Sequence, residues 1–221
     1  MKITNPATGA VIAEVAADNL KTVRAKYELA RAAQTKWAAV PIRKRLAILG
    51  KFRELLIERQ DTLARTLTQE VGKPIRQSRN EVNGLTARID FFLAETERAL
   101  RDEKVFADAA GKLEERIAHI PLGVIANISA WNYPYFVGGN VFVPALAAGN
   151  AVLYKPSEFA TLTASTSPTC SMRRAFREMS SSPSSAMAPR APRSCGSRWM
   201  VCSSPGRTAR AQKSPPVPAA A

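Results

Sequence analysis

Residues 121–158 read PLGVIANISAWNYPYFVGGNVFVPALAAGNAVLYKPSE, and their pattern decides the fold. GVIANIS (123–129) is a near-continuous apolar run, the composition of a strand buried on both faces of a parallel sheet. FVGGNVFVPALAAGN (136–150) is rich in small residues, helix-like, and stops at Gly149. AVLYK (151–155) is a second buried strand. Strand, helix and strand in about 33 residues make a βαβ unit. The right-handed crossover makes the two strands parallel, so both carboxyl ends lie on one edge of the sheet. In open α/β sheets ligands bind beyond that edge.

Both strands end in polar clusters. The first runs into Ser129-Ala130-Trp131-Asn132-Tyr133-Pro134, the second into Lys155-Pro156-Ser157-Glu158. A carboxylate such as Glu158 accepts hydrogen bonds from ribose hydroxyls, and Lys155 can donate to the same sugar. The amide of Asn132 offers N–H groups that could steady a developing oxyanion. Taken singly, each cluster reads more readily as structure: a strand-ending turn with an aromatic plug, or a solvated helix start. No G-x-G-x-x-G follows either strand, so the usual dinucleotide fingerprint is absent. Residue chemistry alone stops at an α/β nucleotide-type site.

Upstream, NPATGAVIAEVAA (5–17) has a Pro/Gly turn and then a short apolar alternation that predicts a strand. Asp18 is the expected N-cap of a helix running to about Val40, before Pro41. A second helix begins near Ile42, with Leu46, Leu49, Phe52, Leu55 and Leu56 at helical spacing. Asp61 is its expected restart cap, and VGKP (71–74) is its stop. A third helix is predicted over 77–103, with Val82, Leu85, Ile89, Phe92 and Leu93 on one side. All three read as scaffold without chemistry. After Gly111 the period becomes two, and KLEERIAHIP (112–121) predicts a strand with one solvated face.

Downstream the composition breaks after Thr163. Residues 1–163 hold 23 Lys+Arg and 17 Asp+Glu, a net of +6 (23 − 17). Residues 164–221 hold 9 Lys+Arg and the single acid Glu178, a net of +8 (9 − 1). This last quarter has no Leu or Ile, 8 of the 15 prolines, and all three cysteines (Cys170, Cys195, Cys202). So little apolar surface cannot offset the entropy of ordering, and the stretch is expected to be a disordered basic tail. No disulfide framework supports the first 163 residues, which lack Cys. No metal site is expected. No run is long and apolar enough to span a membrane and no signal-peptide pattern opens the chain, so a cytoplasmic location is expected.

The quoted stretch resembles the aldehyde dehydrogenase superfamily in its Pro-Leu-Gly-Val, Trp-Asn-x-Pro, Pro-Ala-Leu-x-x-Gly-Asn and Lys-Pro-Ser-Glu blocks, in order and at family spacing. NPATGAVIAEV, RKRLAILGKFRELLIERQDTLARTLTQEVGKP and Glu81-Val82 fit the family's N-terminal region, so the resemblance covers about residues 4–163. It implies an incomplete Rossmann-like parallel sheet of the family's coenzyme domain, preceded by N-terminal helices and followed by the disordered tail. Residues 1–163 would be the N-terminal part of that domain and 164–221 the tail. It further implies NAD(P)-dependent oxidation of an aldehyde to a carboxylic acid. Ile128, Ser129, Ala130 and Trp131 would line the coenzyme by their backbone, and Lys155, Glu158 and Ser157 would hold its adenosine ribose. Asn132 would be the oxyanion-stabilising amide. NAD is favoured, because Glu158 suits a free 2′-hydroxyl and would repel a 2′-phosphate. Residues 112–120 would belong to the family's oligomerisation strands, making the intact protein a homo-oligomer.

The family's nucleophilic Cys and general-base Glu have no match in this chain. Cys170, Cys195 and Cys202 lack the family's sequence context and its spacing from the Lys-Pro-Ser-Glu turn. A reactive thiol also needs a positioned environment that lowers its pKa. The expectation is therefore a truncated chain, inactive as a dehydrogenase, with weak coenzyme binding.

The genetic code offers a reason for the break. Let each true codon begin one nucleotide before the translated frame. Trp199 (TGG) followed by Met200 (ATG) then forces GAT, an Asp, and Met200 before Val201 forces Gly. Continuing with permitted bases gives Val-Asp-Gly-Val-Phe-Phe-Thr-Gly-Ser, which is what an aldehyde dehydrogenase carries at the coenzyme pyrophosphate. The same shift over residues 164–180 permits a family-like helix and Gly-Val-Pro turn. The tail thus reads as the right gene in the wrong frame, with the slip close to codon 163. Two other functions stay open: a non-catalytic interaction fragment, or a weak, salt-sensitive polyanion binder acting through the basic tail. No specific nucleic-acid or membrane partner is expected.

Overall fold

A computed structural model describes residues 1–166 and the backbone of Val201–Ser203. The chain opens with an antiparallel hairpin of β1 (Lys2–Thr4) and β2 (Val11–Glu14). Helix α1 (Leu20–Ala38) is capped by Asn19, not by the expected Asp18. The reason is register: Thr22 stands three residues after Asn19, and the two exchange a reciprocal pair of bonds, both 3.0 Å. Asp18 instead holds Lys26 at 2.5 Å.

Helices α2 (Ile42–Glu58) and α3 (Gln60–Val71) meet at a break at Arg59. The expected cap Asp61 lies inside the first turn of α3, where it pairs with Arg79 at 2.8 Å. Gly72, at φ +79, takes the left-handed conformation that ends α3. Helix α4 (Ile75–Ala99) stops short of the predicted residue 103, because the following residues form β3 (Glu103–Ala107). This strand pairs antiparallel with β4 (Glu114–Ile117). Strand β3 was not foreseen, and the strand expected over 112–121 with one solvated face spans only Glu114–Ile117 with both faces exposed; a hairpin with no buried side leaves its bounds unmarked.

The βαβ unit is present as read. It comprises β5 (Val124–Ile128), α5 (Pro134–Ala147) and β6 (Ala151–Lys155), with the strands parallel from Val124↔Ala151 to Ile128↔Lys155. A short helix, α6 (Thr161–Thr166), follows and runs across residue 163. Strand β7 (Val201–Ser203) pairs parallel with the other edge of β6, Val152 facing Val201 and Tyr154 facing Ser203. Of the expected tail, residues 164–166 thus continue α6 and Val201–Ser203 form β7, a correction to the expectation of disorder at these six residues. An unpaired edge on the buried strand β6 is a template for any β-compatible segment. The remainder of the expected tail, 167–200 and 204–221, lies outside the described residues.

One core joins these layers. Trp37, Ile48, Leu49, Phe52, Leu56, Leu63, Leu67, Val82, Leu85 and Ile89 of the helices pack with Tyr135, Phe142, Val143 and Leu146 of α5 and Val152 of β6. Helix α5 is thus sandwiched between the helical layer and the sheet. Two glycines let it come close: a Cβ on Gly139 would stand 2.2 Å from Leu85 Cδ1, and one on Gly138 would stand 2.8 Å from Tyr154 Oη. The carbonyls at the end of α5 take their partners from beyond the helix, and Leu146 O accepts the Gly149 N–H at 3.0 Å. Trp37 Nε1–H donates to Leu146 O at 2.8 Å and Arg45 Nε–H to Ala147 O at 2.9 Å. Among the described residues no helix is long and apolar enough to cross a membrane.

Candidate functional site

The two polar clusters converge as the topology requires. Ile128 and Lys155 are register partners, and Ser129 N–H donates to Lys155 O at 2.9 Å, tying the strand tips together. Ile128 (74% exposed), Ala130, Trp131 and Asn132 line the outer face of the edge, whereas Ser129 is buried. Trp131 meets Phe159 edge-to-face at 6.4 Å between centroids, so a ring from each cluster closes a shelf across the edge. The sequence reading missed Phe159; an exposed aromatic directly after Lys-Pro-Ser-Glu was the available signal.

Asn132 is exposed and turned. Its Oδ1 accepts the Tyr133 N–H at 3.1 Å, and its carbonyl accepts from Lys73 Nζ at 2.8 Å. Both acceptors are engaged toward the protein, and Nδ2 donates to nothing among the described residues. On the second cluster Lys155 Nζ donates to the Pro156 carbonyl at 3.3 Å. Ser157 Oγ lies 3.3 Å from Glu158 Oε2 and accepts the Phe159 N–H at 3.3 Å, which fixes the turn.

The helices read as scaffold contribute directly to these loops. Lys73 and Glu81 form a buried ion pair at 2.5 Å, with side chains 8% and 0% exposed. Glu81 Oε1 accepts the Tyr135 N–H at 2.8 Å and the Phe136 N–H at 3.3 Å, at the start of α5. Lys73 Nζ also sits 3.4 Å from the centroid of the Tyr133 ring. Glu70, equally buried, accepts the Leu162 N–H, the Thr163 N–H and the Thr163 Oγ1–H, all at 2.6 Å. Burial pushes both carboxyls above the usual range; Lys73 pulls Glu81 back, and Thr163 and its neighbouring amides pull Glu70 back. Their signal in sequence was position: Glu81 precedes Leu85 and Ile89 at four-residue steps, and Glu70 follows Leu63 and Leu67, so both lie on apolar faces.

Beside Asn132, Gln77, Asn80, Glu81, Gly84, Tyr133 and Phe136 line a cavity of about 220 Å³. The edge therefore offers exposed apolar rings, an ammonium, a carboxylate and an outward amide. These groups fit a nicotinamide dinucleotide: aromatic and aliphatic surface for its rings, paired charge for a ribose, and a donor where a carbonyl could approach.

The profile of the aldehyde dehydrogenase family matches residues 1–172. The chain is 37% identical over 155 residues to an N-succinylglutamate 5-semialdehyde dehydrogenase of Caulobacter vibrioides, covering 70% of this chain and 32% of that one. An aldehyde dehydrogenase structure from Brucella melitensis superposes with a TM-score of 0.73 at 31% identity, over 79% of this chain and 35% of that one. Two further structures of this fold hold the coenzyme. PnpE, in complex with nicotinamide adenine dinucleotide, gives a TM-score of 0.71 at 27% identity, over 80% of this chain and 35% of that one. The NADP-dependent glyceraldehyde-3-phosphate dehydrogenase of Bacillus halodurans, complexed with NADP, gives 0.70 at 27% identity, over 82% and 38%. The chain spans about a third of the length of the curated relatives it matches. With the motif blocks, the βαβ edge and these matches in agreement, the chain belongs to the aldehyde dehydrogenase family.

Proposed function

We propose that the edge carrying Asn132, Lys155 and Glu158 is the coenzyme half of an aldehyde-oxidising site. The observation that carries this reading is the meeting of both strand tips at one edge, joined by Ser129 N–H to Lys155 O at 2.9 Å. A nicotinamide coenzyme, when bound, supplies the hydride acceptor. Ile128, Ser129, Ala130 and Trp131 would flank it by their backbone; Lys155, Ser157 and Glu158 would take its adenosine ribose. NAD is favoured over NADP, because a carboxylate at Glu158 accepts from a free 2′-hydroxyl and repels a 2′-phosphate. The aldehyde would approach through the cavity beside Tyr133 and Phe136, and Asn132 Nδ2 would donate to its oxygen as negative charge develops there.

Chemistry needs a nucleophile, and the described side chains include no cysteine. Cys202 lies opposite Leu153, within the strand and short of its carboxyl end. Cys170 and Cys195 lie outside the described residues. We infer that this chain binds coenzyme weakly and does not turn over. Calorimetric titration with NAD and NADP tests the first point: the wild type should prefer NAD, and Glu158→Gln should narrow that preference about tenfold, the worth of one charge-assisted bond. No heat with either coenzyme would sink the binding reading. Aldehyde-dependent NADH formation by the purified chain would refute inactivity.

The composition break after Thr163 supports the frame-slip reading of the tail. Resequencing the gene decides it: a shifted frame that closes soon after codon 163 removes the idea. The hairpin of β3 and β4, with Val105, Phe106 and Ile117 exposed, is the proposed oligomer-forming element.

A further inference from the structure

Neither site loop is held in place only by its own residues. Lys73, two residues before α4, holds the carbonyl of Asn132, and Glu81 of α4 holds the first amides of α5, the helix that leaves that loop. Glu70 of α3 holds the first amides of α6, the helix that leaves the Lys-Pro-Ser-Glu turn. The first amides of a helix can be satisfied cheaply by a local Ser, Asn or Asp cap. Here two carboxylates are withdrawn from water to do it, across 54 and 92 residues of chain. Burying a carboxylate is costly unless it is well bonded. What this arrangement adds over a local cap is position: each loop is referenced to the helical layer, whose Leu49, Phe52, Leu67 and Ile89 are fully buried.

We propose that Glu70 and Glu81 are positioning residues, one for each loop of the coenzyme edge, and that the two fastenings act independently. Glu81, with Lys73, sets where the Asn132 amide stands. Glu70 sets where the Lys155–Glu158 turn ends. That these loops serve a coenzyme rests on the reading above; that they are fastened in this way does not.

Amide hydrogen exchange on the full 221-residue chain tests both statements. In Glu81→Gln, the Tyr135 and Phe136 amides should exchange about tenfold to a hundredfold faster, the effect of losing a charged acceptor, while Leu162 and Thr163 keep their wild-type rates. Glu70→Gln should do the reverse. A merely structural role would loosen both loops together in either variant, and that result, or no change in either, overturns the proposal. Should a Gln variant fail to fold by circular dichroism, Lys73→Gln and Thr163→Val each remove one partner and keep the carboxylate. The first should loosen only 132–136 and the second only 161–164; loosening of both loops by either again overturns independence. The wild type is also measured with NAD. Protection at 128–132 and 155–158 concerns the coenzyme reading alone, so its absence with the loop-specific pattern intact would sink that reading and leave the fastenings standing.

Discussion

Replacing Lys73 by Met is expected to destabilise the protein by an amount set by pH. The ammonium is 2.5 Å from a carboxylate whose side chain is fully buried, so its removal leaves a charge with no cation and only the Tyr135 and Phe136 amides to hold it. Breaking such a pair costs about 3–5 kcal/mol when the charge must stay. Glu81 has an alternative, which is to take up a proton. Counting from an ordinary glutamate value near 4.3, protonation costs at most about 4 kcal/mol at pH 7 and about 1 kcal/mol at pH 5. Burial already pushes Glu81 up in the wild type, so the true loss lies below those ceilings. The sign follows from linkage. A carboxyl raised in the folded state loses stability as pH climbs through the raised value, and removing Lys73 extends that window upward. Urea unfolding of wild type and Lys73→Met at pH 5 and pH 7 is the assay. The gap should be a few kcal/mol at pH 7 and shrink to about 1 kcal/mol or less at pH 5. A gap equal at both values, or wider at pH 5, would refute the reasoning.

Three further outcomes are expected. Burial raises Glu70, so the folded protein keeps a proton that the unfolded chain has released, and Glu70 contributes less as pH rises above the ordinary carboxyl range. Thermal unfolding across pH 4 to 8 should therefore show the advantage of wild type over Glu70→Gln narrowing as pH rises; an advantage that widens contradicts this. Gly139→Ala gains about 1 kcal/mol of helix propensity, but sets a methyl 2.2 Å from Leu85 Cδ1 inside a full core, an overpacking worth about 1–3 kcal/mol. A net loss near 1 kcal/mol is expected in urea unfolding, and a net gain would mean that Leu85 can move aside. Trp37→Phe removes one donor from Leu146 O, which keeps the Gly149 N–H at 3.0 Å, and should cost about 0.5–1.5 kcal/mol by the same assay; a loss of about 3 kcal/mol or more would contradict this.

The parts of the molecule that obey a period were legible in the sequence. The βαβ unit was readable because a buried strand and a small-residue helix leave patterns that few other arrangements produce. That the strand tips leading to Asn132 and to Lys155–Glu158 share one edge followed from the parallel crossover, without side-chain information. What escaped notice obeys no period. Strand β3 has no buried face, and the cap on α1 depends on whether Asp18 or Asn19 finds Thr22 at the right distance. Glu70, Glu81 and Lys73 were overlooked for a different reason. The two carboxylates fall on apolar helix faces, but a charged residue is taken for a solvated one until its partner, up to 93 residues away, is known. The tail carried a compositional argument against order, yet Val201–Ser203 pairs with β6, because three residues beside an open edge need backbone bonds more than a hydrophobic pattern.

A crystal structure of the chain grown with NAD tests the central claim most directly. The coenzyme is expected at the carboxyl ends of β5 and β6, its adenosine ribose within hydrogen-bond distance of Lys155 and Glu158 and its nicotinamide beside Asn132. Coenzyme bound anywhere else on the protein, with that edge open to solvent, would contradict the account.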